Sequence, residues 1–255
     1  MRIAATAIFA LTLLAIGPDA RVTQRTAGGL VDLGHPLSAA DPTWSGTPVF
    51  THTIRSTFEK HGMLTGRFAT DEHFGTHVDA PAHFAKSGWT VDQIPVDRLI
   101  RSGFCISVED QAARDEDYRV TSADIEGFEA THGRIPEGAF VFIATGWDAR
   151  WPSTRYMNIR DGVKHFPGLT EGAALQLARD RRVAGIGIDT PSVDYGPSTA
   201  YEAHRASQPL NVYHVENARG LTALPPSGFE VIVAPVKITG VSGAPTRVFA
   251  RLPGR

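Results

Sequence analysis

The sequence predicts an α/β fold with a single domain built on one mixed sheet. Residues 139–145 and 183–188 are short apolar runs, and each has the length of a buried strand. Residues 171–182 lie between these runs and have the length and the end residues typical of a helix. A strand, a helix and a second strand in succession are characteristic of α/β proteins, in which helices cover a sheet.

Residues 1–20 are predicted to be a secretory signal peptide that does not belong to the folded domain. Arg2 supplies a positive charge, residues 3–16 are apolar or small, and Gly-Pro-Asp-Ala follows. A membrane anchor is the alternative, but this run is shorter than the ~20 residues that span a bilayer. We therefore expect a secreted or periplasmic protein whose domain spans 21–255.

Threonine caps indicate two helices. Thr121 can form a capping box with Asp124, and the helix that follows is expected to stop near Gly133. Thr170 can cap the helix over 171–182, which has an acidic residue in its first turn and arginines in its last, as the helix dipole favours.

The last part of the chain adds a short helix and two strands. Residues 199–202 match a capping box, which predicts a helix that carries His204. Residues 230–234 and 247–250 have the composition of strands. Glu216 lies between these elements. A single helical histidine or a single glutamate is most often structural or solvated. His204 and Glu216 are therefore candidate ligands only if a metal needs more ligands than the first cluster supplies.

The composition is that of an ordinary globular protein. Of 255 residues, 42% are hydrophobic and 20% are charged, and the formal net charge is -2. This charge excludes the basic surface of a nucleic-acid-binding protein, so a small-molecule partner is expected. The one cysteine, Cys105, lies in an apolar segment and allows no internal disulfide. The fold must therefore be stabilised by its core, by bound metal or by oligomerisation.

Three of the ten histidines lie with an aspartate in one segment of eleven residues. The four side chains are those of His73, His77, Asp79 and His83. Gly75 and Pro81 argue against a helix here, and a helix would direct Asp79 away from His77. A helical zinc-protease site is therefore excluded.

An extended chain would place this set on one side. Residues 73, 77, 79 and 83 have the same parity, so their side chains can project together. Four extended residues span roughly 13 Å, whereas two imidazoles must each approach one ion to about 2.0–2.1 Å. The chain therefore needs a turn between His73 and His77, and Gly75 is the residue that turns most easily.

The set suits a catalytic metal site. Two neutral imidazoles and a carboxylate, from His73, His77 and Asp79, bind a divalent ion and leave positions open for water and substrate. His83 then remains as a general base that takes a proton and returns it to the leaving group. Unrelated histidines near a turn are the alternative interpretation, but their clustering favours metal binding.

A polar loop, 189–196, follows the second predicted strand. Sites often lie beyond the carboxyl ends of strands in open α/β sheets. Asp189, Ser192 and Asp194 are either turn and cap residues or hydrogen-bond partners of a metal ligand, and the sequence leaves both interpretations open.

The segment 73–83 follows the pattern His-x-Gly-Thr-His-x-Asp-x-Pro-x-His. It resembles the signature of the cyclase family of metal-dependent hydrolases, which includes bacterial kynurenine formamidases and isatin hydrolases. The similarity extends over most of the mature chain, including 166–169, 187–194 and 224–247. The resemblance implies an α/β domain of the swivelling β/β/α type, assembled as a homodimer or homotetramer in which a neighbouring subunit can help to close the site.

The resemblance also implies roles for particular residues. The metal ligands that it implies are His73, His77 and Asp79. His83 would be the catalytic acid/base. In two-zinc formamidases a later histidine and a later glutamate also bind metal, and these match His204 and Glu216. Isatin hydrolases resemble single-manganese enzymes, so the expected cofactor is Mn²⁺ or Zn²⁺.

Two features bear on the branch of the family. The export signal and the run 194–199 are more similar to isatin hydrolases, whereas the formamidases compared are cytoplasmic and shorter. His214 stands where the family pattern has a smaller residue. This departure bears on whether a second metal binds and on which residues contact the substrate.

These observations predict a metal-dependent amidohydrolase that cleaves a C–N bond of a small amide. A cyclic amide such as isatin is the favoured substrate, and N-formylkynurenine is the alternative. Trp89 is a candidate to line an apolar pocket for a flat substrate. Two more distant hypotheses are a non-haem iron oxygenase, because two histidines and a carboxylate also form its facial triad, and an exported metal-binding protein without catalysis.

Overall fold

The structure is a computed structural model that describes residues 29–253. The predicted signal peptide, residues 1–20, lies outside the described residues. Among the described residues, the structure contains no helix that is long and apolar enough to cross a membrane.

The described residues include fourteen strands and five α-helices. The strands are β1 (Leu30–Asp32), β2 (Thr51–Ser56), β3 (Thr65–Ala69), β4 (His77–Asp79), β5 (Ile100–Ser107), β6 (Arg119–Val120), β7 (Phe140–Ala144), β8 (Ile159–Arg160), β9 (Val163–Lys164), β10 (Gly168–Leu169), β11 (Gly185–Ile188), β12 (Tyr213–Glu216), β13 (Phe229–Pro235) and β14 (Gly243–Arg251). The helices are α1 (Phe58–His61), α2 (Glu109–Arg114), α3 (Ser122–His132), α4 (Glu171–Leu175) and α5 (Glu202–Ser207).

Eight of these strands form one mixed sheet. Their order is β1-β14-β13-β5-β7-β11-β12-β4, and a further pairing between β4 and β14 closes the sheet. Strands β5, β7, β11 and β12 are parallel to one another, and the other pairs in this sheet are antiparallel. The predicted α/β domain with a single mixed sheet is therefore confirmed.

Strand β7 contributes to two hydrophobic clusters, one on each face of the sheet, because alternate side chains leave a strand on opposite faces. Phe140 and Phe142 join the cluster inside the closed sheet, whereas Val141 and Ile143 join the cluster under the helices. Gly187 in β11 leaves room for one of these rings, since a Cβ atom there would lie 2.4 Å from Phe142. Burial on both faces explains why this strand is apolar throughout.

Both helices predicted from threonine caps are present. Thr121 and Asp124 form the capping box that opens α3, and the helix ends at Gly133. The Thr170 side chain accepts a hydrogen bond from Ala173 N at 3.2 Å and so caps α4. Helix α4 continues as a π-helical segment, Gln176–Asp180, and stops slightly earlier than expected.

The capping box predicted at 199–202 is wrong. Helix α5 begins after Tyr201, which has a left-handed φ of 54°. The first N–H groups of the helix are instead satisfied by Asp194, whose Oδ1 accepts a hydrogen bond from Ala203 N at 2.6 Å. A carboxylate distant in sequence thus replaces the local cap.

The extended chain predicted over 73–83 is wrong beyond Asp79. Only β4 is a strand, and Pro81–His83 forms a 3-10 helix. Proline is favoured in the first turn of a helix, because its missing N–H would have no partner there.

Candidate metal centre

Strand β4 places two predicted metal ligands side by side. His77 and Asp79 are two residues apart in a strand, so their side chains leave the same face. Strand β12 is antiparallel to β4 and sets Glu216 opposite His77. Helix α5 brings His204 to the same place, and all four side chains are buried.

The carboxylate of Asp79 is the centre of this cluster. Its Oδ1 lies 2.6 Å from His73 Nδ1 and 3.0 Å from His77 Nε2. Its Oδ2 lies 3.1 Å from His204 Nε2. Glu216 approaches from the other side, with oxygens 3.6 Å from His77 Nε2 and 3.5 Å from His204 Nε2. The structure thus brings together all five residues that the resemblance implied as ligands.

Hydrogen bonds determine which nitrogen of His73 carries a lone pair. Ser242 Oγ donates to Glu72 Oε2 at 2.7 Å, so it accepts from His73 Nε2 at 3.1 Å. Nδ1 then faces Asp79, where it can either donate a proton to the carboxylate or offer its lone pair to a metal ion. Gly243 permits this packing, because a Cβ atom there would lie 2.5 Å from the His73 ring.

The other two rings are oriented in the same manner. His77 Nδ1 donates to the carbonyl oxygen of Gly75 at 2.9 Å, and Gly75 has a φ of 62°, so the predicted turn is present. His204 Nδ1 donates to Asp194 Oδ2 at 2.5 Å. Both rings therefore turn Nε2 toward the carboxylates, where it can bind either a proton or a metal ion. Such partners hold a histidine in one tautomer and one orientation for a metal.

The donor set fits a divalent metal ion. Three imidazole lone pairs and two carboxylates converge, and within the described part of the chain the buried His77 Nε2 makes no hydrogen bond. Burial and then the negative charge of Asp79 raise the pKa of Glu216 well above its usual range. A cation would offset this repulsion, and nitrogen and carboxylate ligands in this number suit Mn²⁺ or Zn²⁺.

The cluster attracts positive charge. Burial opposes ionisation of Asp79, yet the neighbouring His77 and His73 hold its pKa well below the usual range. Burial also disfavours a charged His204, yet hydrogen bonds to Asp194 and Asp79 raise its pKa to about 10. The carboxylates thus stabilise either protons or a metal ion at the same place.

His83 lies beside the cluster. Its ring centroid is 4.0 Å from that of His73 and 5.7 Å from that of His204. The 3-10 helix that carries it is held by a hydrogen bond of 2.8 Å from Phe84 N to Gln208 Oε1. Burial lowers the pKa of His83 to about 4, so the ring is neutral near pH 7 and can accept a proton. Its nitrogen also lies within 4.8 Å of ligand atoms of His73 and Asp79, which permits coordination as well.

A cavity of about 800 Å³ opens onto this cluster. The apolar part of its lining comes from Trp44, Phe74, Phe84, Met157 and Tyr201. The volume lies in the range of small-molecule sites, and aromatic walls suit a flat ligand. The arrangement can therefore hold a small substrate against a metal ion and a neutral histidine.

The model of the Cyclase family matches residues 31–195 of this sequence. This chain belongs to the cyclase family. An isatin hydrolase from Roseibium aggregatum is 32% identical over 192 residues, which cover 71% of this chain and 72% of the relative. A kynurenine formamidase from Salinibacter ruber is 28% identical over 224 residues, which cover 87% of this chain and 97% of the relative.

A solved structure has the same fold as this cyclase-family chain. Isatin hydrolase A from Ralstonia solanacearum superposes with a TM-score of 0.83 at 33% sequence identity, over 88% of this chain and 92% of that chain. The relatives and the solved structure are hydrolases, so the chain is a member of a hydrolase family with side chains that can bind metal at Asp79.

In this cyclase-family chain, Trp89 is not among the residues that line the cavity. It packs against the core inside the sheet, with the Arg98 guanidinium 5.4 Å from its ring centroid. Trp44 and Tyr201 line the cavity instead. No local pattern in the sequence distinguishes these aromatic residues from core residues.

The polar loop 189–196 divides between two roles. Asp194 holds His204, which is the role of a partner to a metal ligand. Asp189 is fully buried and accepts hydrogen bonds from Thr145 and Gly146, so it fixes the end of β7. Ser192 lines the cavity.

His214 lies beside His204, and one of its ring nitrogens is within 4.8 Å of ligand atoms of Asp79 and His204. Its ring is fully buried 4.8 Å from that of His204, and Nε2 lies 2.8 Å from Ser207 Oγ. Burial lowers its pKa well below the usual range, so it remains neutral. Sequence reasoning gave no role to Ser242 and Asn217, which reach His73 and His77 only through the tertiary fold, or to Glu72, which accepts the hydrogen bond of Ser242.

Proposed function

We propose that this protein is a metal-dependent hydrolase that cleaves a C–N bond of a small amide. The observation that carries the proposal is the convergence of three imidazole lone pairs on Asp79 at one end of a cavity of about 800 Å³. His83 stands beside this cluster, as a proton carrier requires. The hydrolase names of the relatives support the same chemistry.

The chain supplies proton transfer and orientation. When bound, a divalent ion provides Lewis acidity that makes water more acidic and polarises a carbonyl. His83, neutral because burial lowers its pKa to about 4, accepts the proton of the attacking water. It then donates this proton to the departing nitrogen. Asp194 and Gly75 hold His204 and His77, so the ligand set does not reorganise during turnover.

The favoured substrate class is cyclic amides such as isatin, opened to isatinate. The aromatic walls from Trp44, Phe84 and Tyr201 suit a flat bicyclic ring, and an isatin hydrolase is 32% identical. N-formylkynurenine is the second candidate, because a kynurenine formamidase matches 87% of this chain.

Parallel assays on isatin and N-formylkynurenine test the substrate. The purified protein is analysed for metal, then assayed with Mn²⁺ and with Zn²⁺ on both compounds, with the His77→Ala variant as the inactive control. We expect isatin to be opened with the higher kcat/KM. Faster cleavage of the formamide would assign the arylformamidase activity instead, and a metal-loaded protein inactive on both would favour a metal-binding role.

We propose Mn²⁺ or Zn²⁺ as the metal, since imidazole and carboxylate ligands suit either ion. An iron oxygenase would use the same donor types. Removing oxygen while Mn²⁺ or Zn²⁺ is present separates the two chemistries: hydrolysis continues, whereas loss of turnover would establish the oxygenase.

We also propose a homodimer or homotetramer that associates through the β2–β3 hairpin. This hairpin exposes large apolar side chains, which marks an interaction surface. These side chains are Ile54, Phe58, Met63, Leu64 and Phe68, exposed by 50–66%.

The variant Phe58→Glu is expected to shift the protein toward the monomer, because it adds a charge to this apolar surface. Light scattering after size-exclusion chromatography measures the mass. Val96→Glu is the matched control, since Val96 is also exposed but is not part of the hairpin. A monomeric wild type, or equal masses for both variants, would contradict the assignment.

Finally, we propose that the protein is exported. The apolar run at 3–16 after Arg2 supports a cleaved signal peptide. Cell fractionation followed by N-terminal sequencing is expected to find the mature protein in the periplasm or medium, starting between Gly17 and Arg21. A cytoplasmic protein with an intact N-terminus would refute export.

A further inference from the structure

A chain of buried hydrogen bonds leads from Tyr156 to the metal ligand His77. In the sequence, Tyr156 follows β7 and precedes β8, and its side chain has no exposed surface. Its hydroxyl lies 2.8 Å from Asn217 Oδ1 and 3.0 Å from the carbonyl oxygen of Asp189. Both neighbours are acceptors, so the hydroxyl is the donor, and its shorter contact is with the amide of Asn217.

The other end of the Asn217 amide reaches the acceptor that orients His77. Asn217 Nδ2 donates to the carbonyl oxygen of Gly75 at 2.8 Å, and His77 Nδ1 donates to the same oxygen at 2.9 Å. Asn217 Nδ2 also lies 3.4 Å from His77 Nδ1. The carbonyl of Gly75 therefore has both of its lone pairs occupied, and its position is fixed on the side that holds the imidazole.

The backbone of Asn217 cannot move to compensate for a change in its side chain. Its N–H donates to Thr190 O at 3.0 Å, and its carbonyl accepts from Thr76 Oγ1 at 2.6 Å. Its φ is 55°, in the left-handed region that few residues other than glycine and asparagine occupy. The one remaining freedom is rotation of the amide, which the hydrogen bond from the Tyr156 hydroxyl to Oδ1 restrains.

We propose that Tyr156 is a positioning residue of the hydrolase, which acts through the Asn217 amide and the Gly75 carbonyl to hold His77 for the metal. The inference rests on the proposed metal site. If the amide reversed, Asn217 Oδ1 would face the Gly75 carbonyl oxygen, and two acceptors at that distance repel each other. In the observed orientation the Tyr156 hydroxyl donates to Oδ1 at 2.8 Å while Nδ2 donates to the Gly75 carbonyl, so the amide is held at both ends.

Packing alone does not explain a tyrosine at this position. The ring belongs to an apolar cluster with Trp147, Met157 and Phe166, in which phenylalanine would pack equally well. Burying a hydroxyl is unfavourable unless it is hydrogen-bonded, and here the partners within reach are the Asn217 amide oxygen and the Asp189 carbonyl oxygen.

Metal affinity of Tyr156→Phe tests the proposal without relying on activity. Partners of metal ligands typically contribute 10–100-fold to metal affinity, and we expect about tenfold weaker Zn²⁺ binding, measured by chelator competition on the full chain. The visible spectrum of the Co²⁺-loaded variant is expected to change as well. Tyr213→Phe is the matched control, because Tyr213 is equally buried and its hydroxyl bonds a carbonyl, that of Arg98, away from the centre.

A double-mutant cycle tests the route through Asn217. Asn217→Gly removes the amide and tolerates the left-handed backbone. If Tyr156 acts through this amide, adding Tyr156→Phe to Asn217→Gly weakens Zn²⁺ binding by less than about twofold more.

Two results would overturn the inference. The first is a Tyr156→Phe variant that binds Zn²⁺ as tightly as Tyr213→Phe does. The second is a double variant whose loss of Zn²⁺ affinity equals the product of the losses in Tyr156→Phe and Asn217→Gly. Melting of the metal-free variants separates loss of folding from loss of affinity, and the comparison is made on folded protein. A wild type that binds neither Zn²⁺ nor Mn²⁺ would overturn the proposed function and this inference together, whereas tight binding by wild type and variant alike would overturn the inference alone.

Discussion

At the scale of the residue, the chemistry of the site depends on which nitrogen of each histidine is occupied. Ser242, Gly75 and Asp194 each engage one nitrogen of a different ring, and the remaining nitrogen faces Asp79. His83 has no such partner among the residues described, and burial lowers its pKa to about 4. The candidate ligands are thus fixed, while His83, the proposed proton carrier, keeps both nitrogens available.

Replacing His83 by alanine is expected to reduce turnover by about 10²–10⁴-fold, because general acid–base catalysis contributes this much. Metal content should remain that of the wild type, since the five other side chains contact the metal position. Steady-state kinetics and metal analysis on the same sample measure the two effects. Loss of metal together with activity would make His83 a ligand.

His35 gives the folded protein a pH dependence that is separate from the proposed catalysis. Its ring stacks on Trp151 with centroids 4.3 Å apart. Burial and then the charge of Arg219 lower its pKa from the ordinary 6.5 to about 3. As the pH falls, the unfolded chain therefore takes up this proton before the folded chain does. The contribution of the neutral His35 ring to the unfolding free energy is thus complete above pH 6.5 and declines as the pH falls toward 3.

Replacing His35 by phenylalanine should keep the stacked ring and remove this titration. Between pH 7 and pH 5 the wild type is expected to lose about 2 kcal/mol more of unfolding free energy than the variant, from 1.36 kcal/mol per pH unit below 6.5. Urea denaturation at the two pH values measures the difference. An equal loss in both proteins would show that His35 does not govern it.

At the scale of the element, caps decide where the helices begin. Helix α5 is short, and Asp194 holds its first N–H groups as well as the ring of His204. The position of a metal ligand thus depends on a residue from the preceding loop. Helix α4 differs from α5, because its cap, Thr170, is adjacent to it in sequence and its hydrogen bonds go to Ala173 and Val120, which are not candidate metal ligands.

Thr170→Ala is expected to destabilise the protein by about 1–2 kcal/mol. The substitution removes the cap to Ala173 N and the hydrogen bond that Thr170 donates to Val120 O at 2.8 Å. Urea denaturation measures the loss, and Zn²⁺ affinity should be unchanged. Thr170→Ser is the control that keeps the hydroxyl; an equal loss in this variant would attribute the effect to the methyl group.

At the scale of the whole molecule, the candidate metal centre joins parts of the chain that are distant in sequence. Strand β4, strand β12 and helix α5 meet at Asp79, and the pairing of β4 with β14 closes the sheet at the same place. A metal bound here would bind the folded chain and not the unfolded one, so it would stabilise the fold as a whole.

Removing the metal is expected to lower the melting temperature by about 5–10 °C. A ligand at 100 times its dissociation constant adds about 2.7 kcal/mol, and each kcal/mol shifts a chain of this size by about 2–4 °C. Differential scanning calorimetry with and without chelator measures the shift. His77→Ala should melt at one temperature in both conditions. A wild type unaffected by chelator would argue against a metal in the folded state.

The sequence by itself determined the elements whose signals are local. The buried strands β7 and β11, the capped helix α3 and the turn at Gly75 follow from apolar runs, caps and glycine placement, because each depends on neighbours along the chain. The histidine cluster with Asp79 also lies in one short segment, so its metal chemistry could be predicted before any fold was known.

Only the tertiary structure decided which distant residues complete the centre. His204 and Glu216 reach Asp79 because α5 and β12 pack beside β4, and Trp44 lines the cavity whereas Trp89 packs into the core. These contacts join residues far apart in sequence. Their positions depend on sheet order and closure, which no local pattern encodes, and so the ligand partners and cavity walls emerge only when the chain has folded.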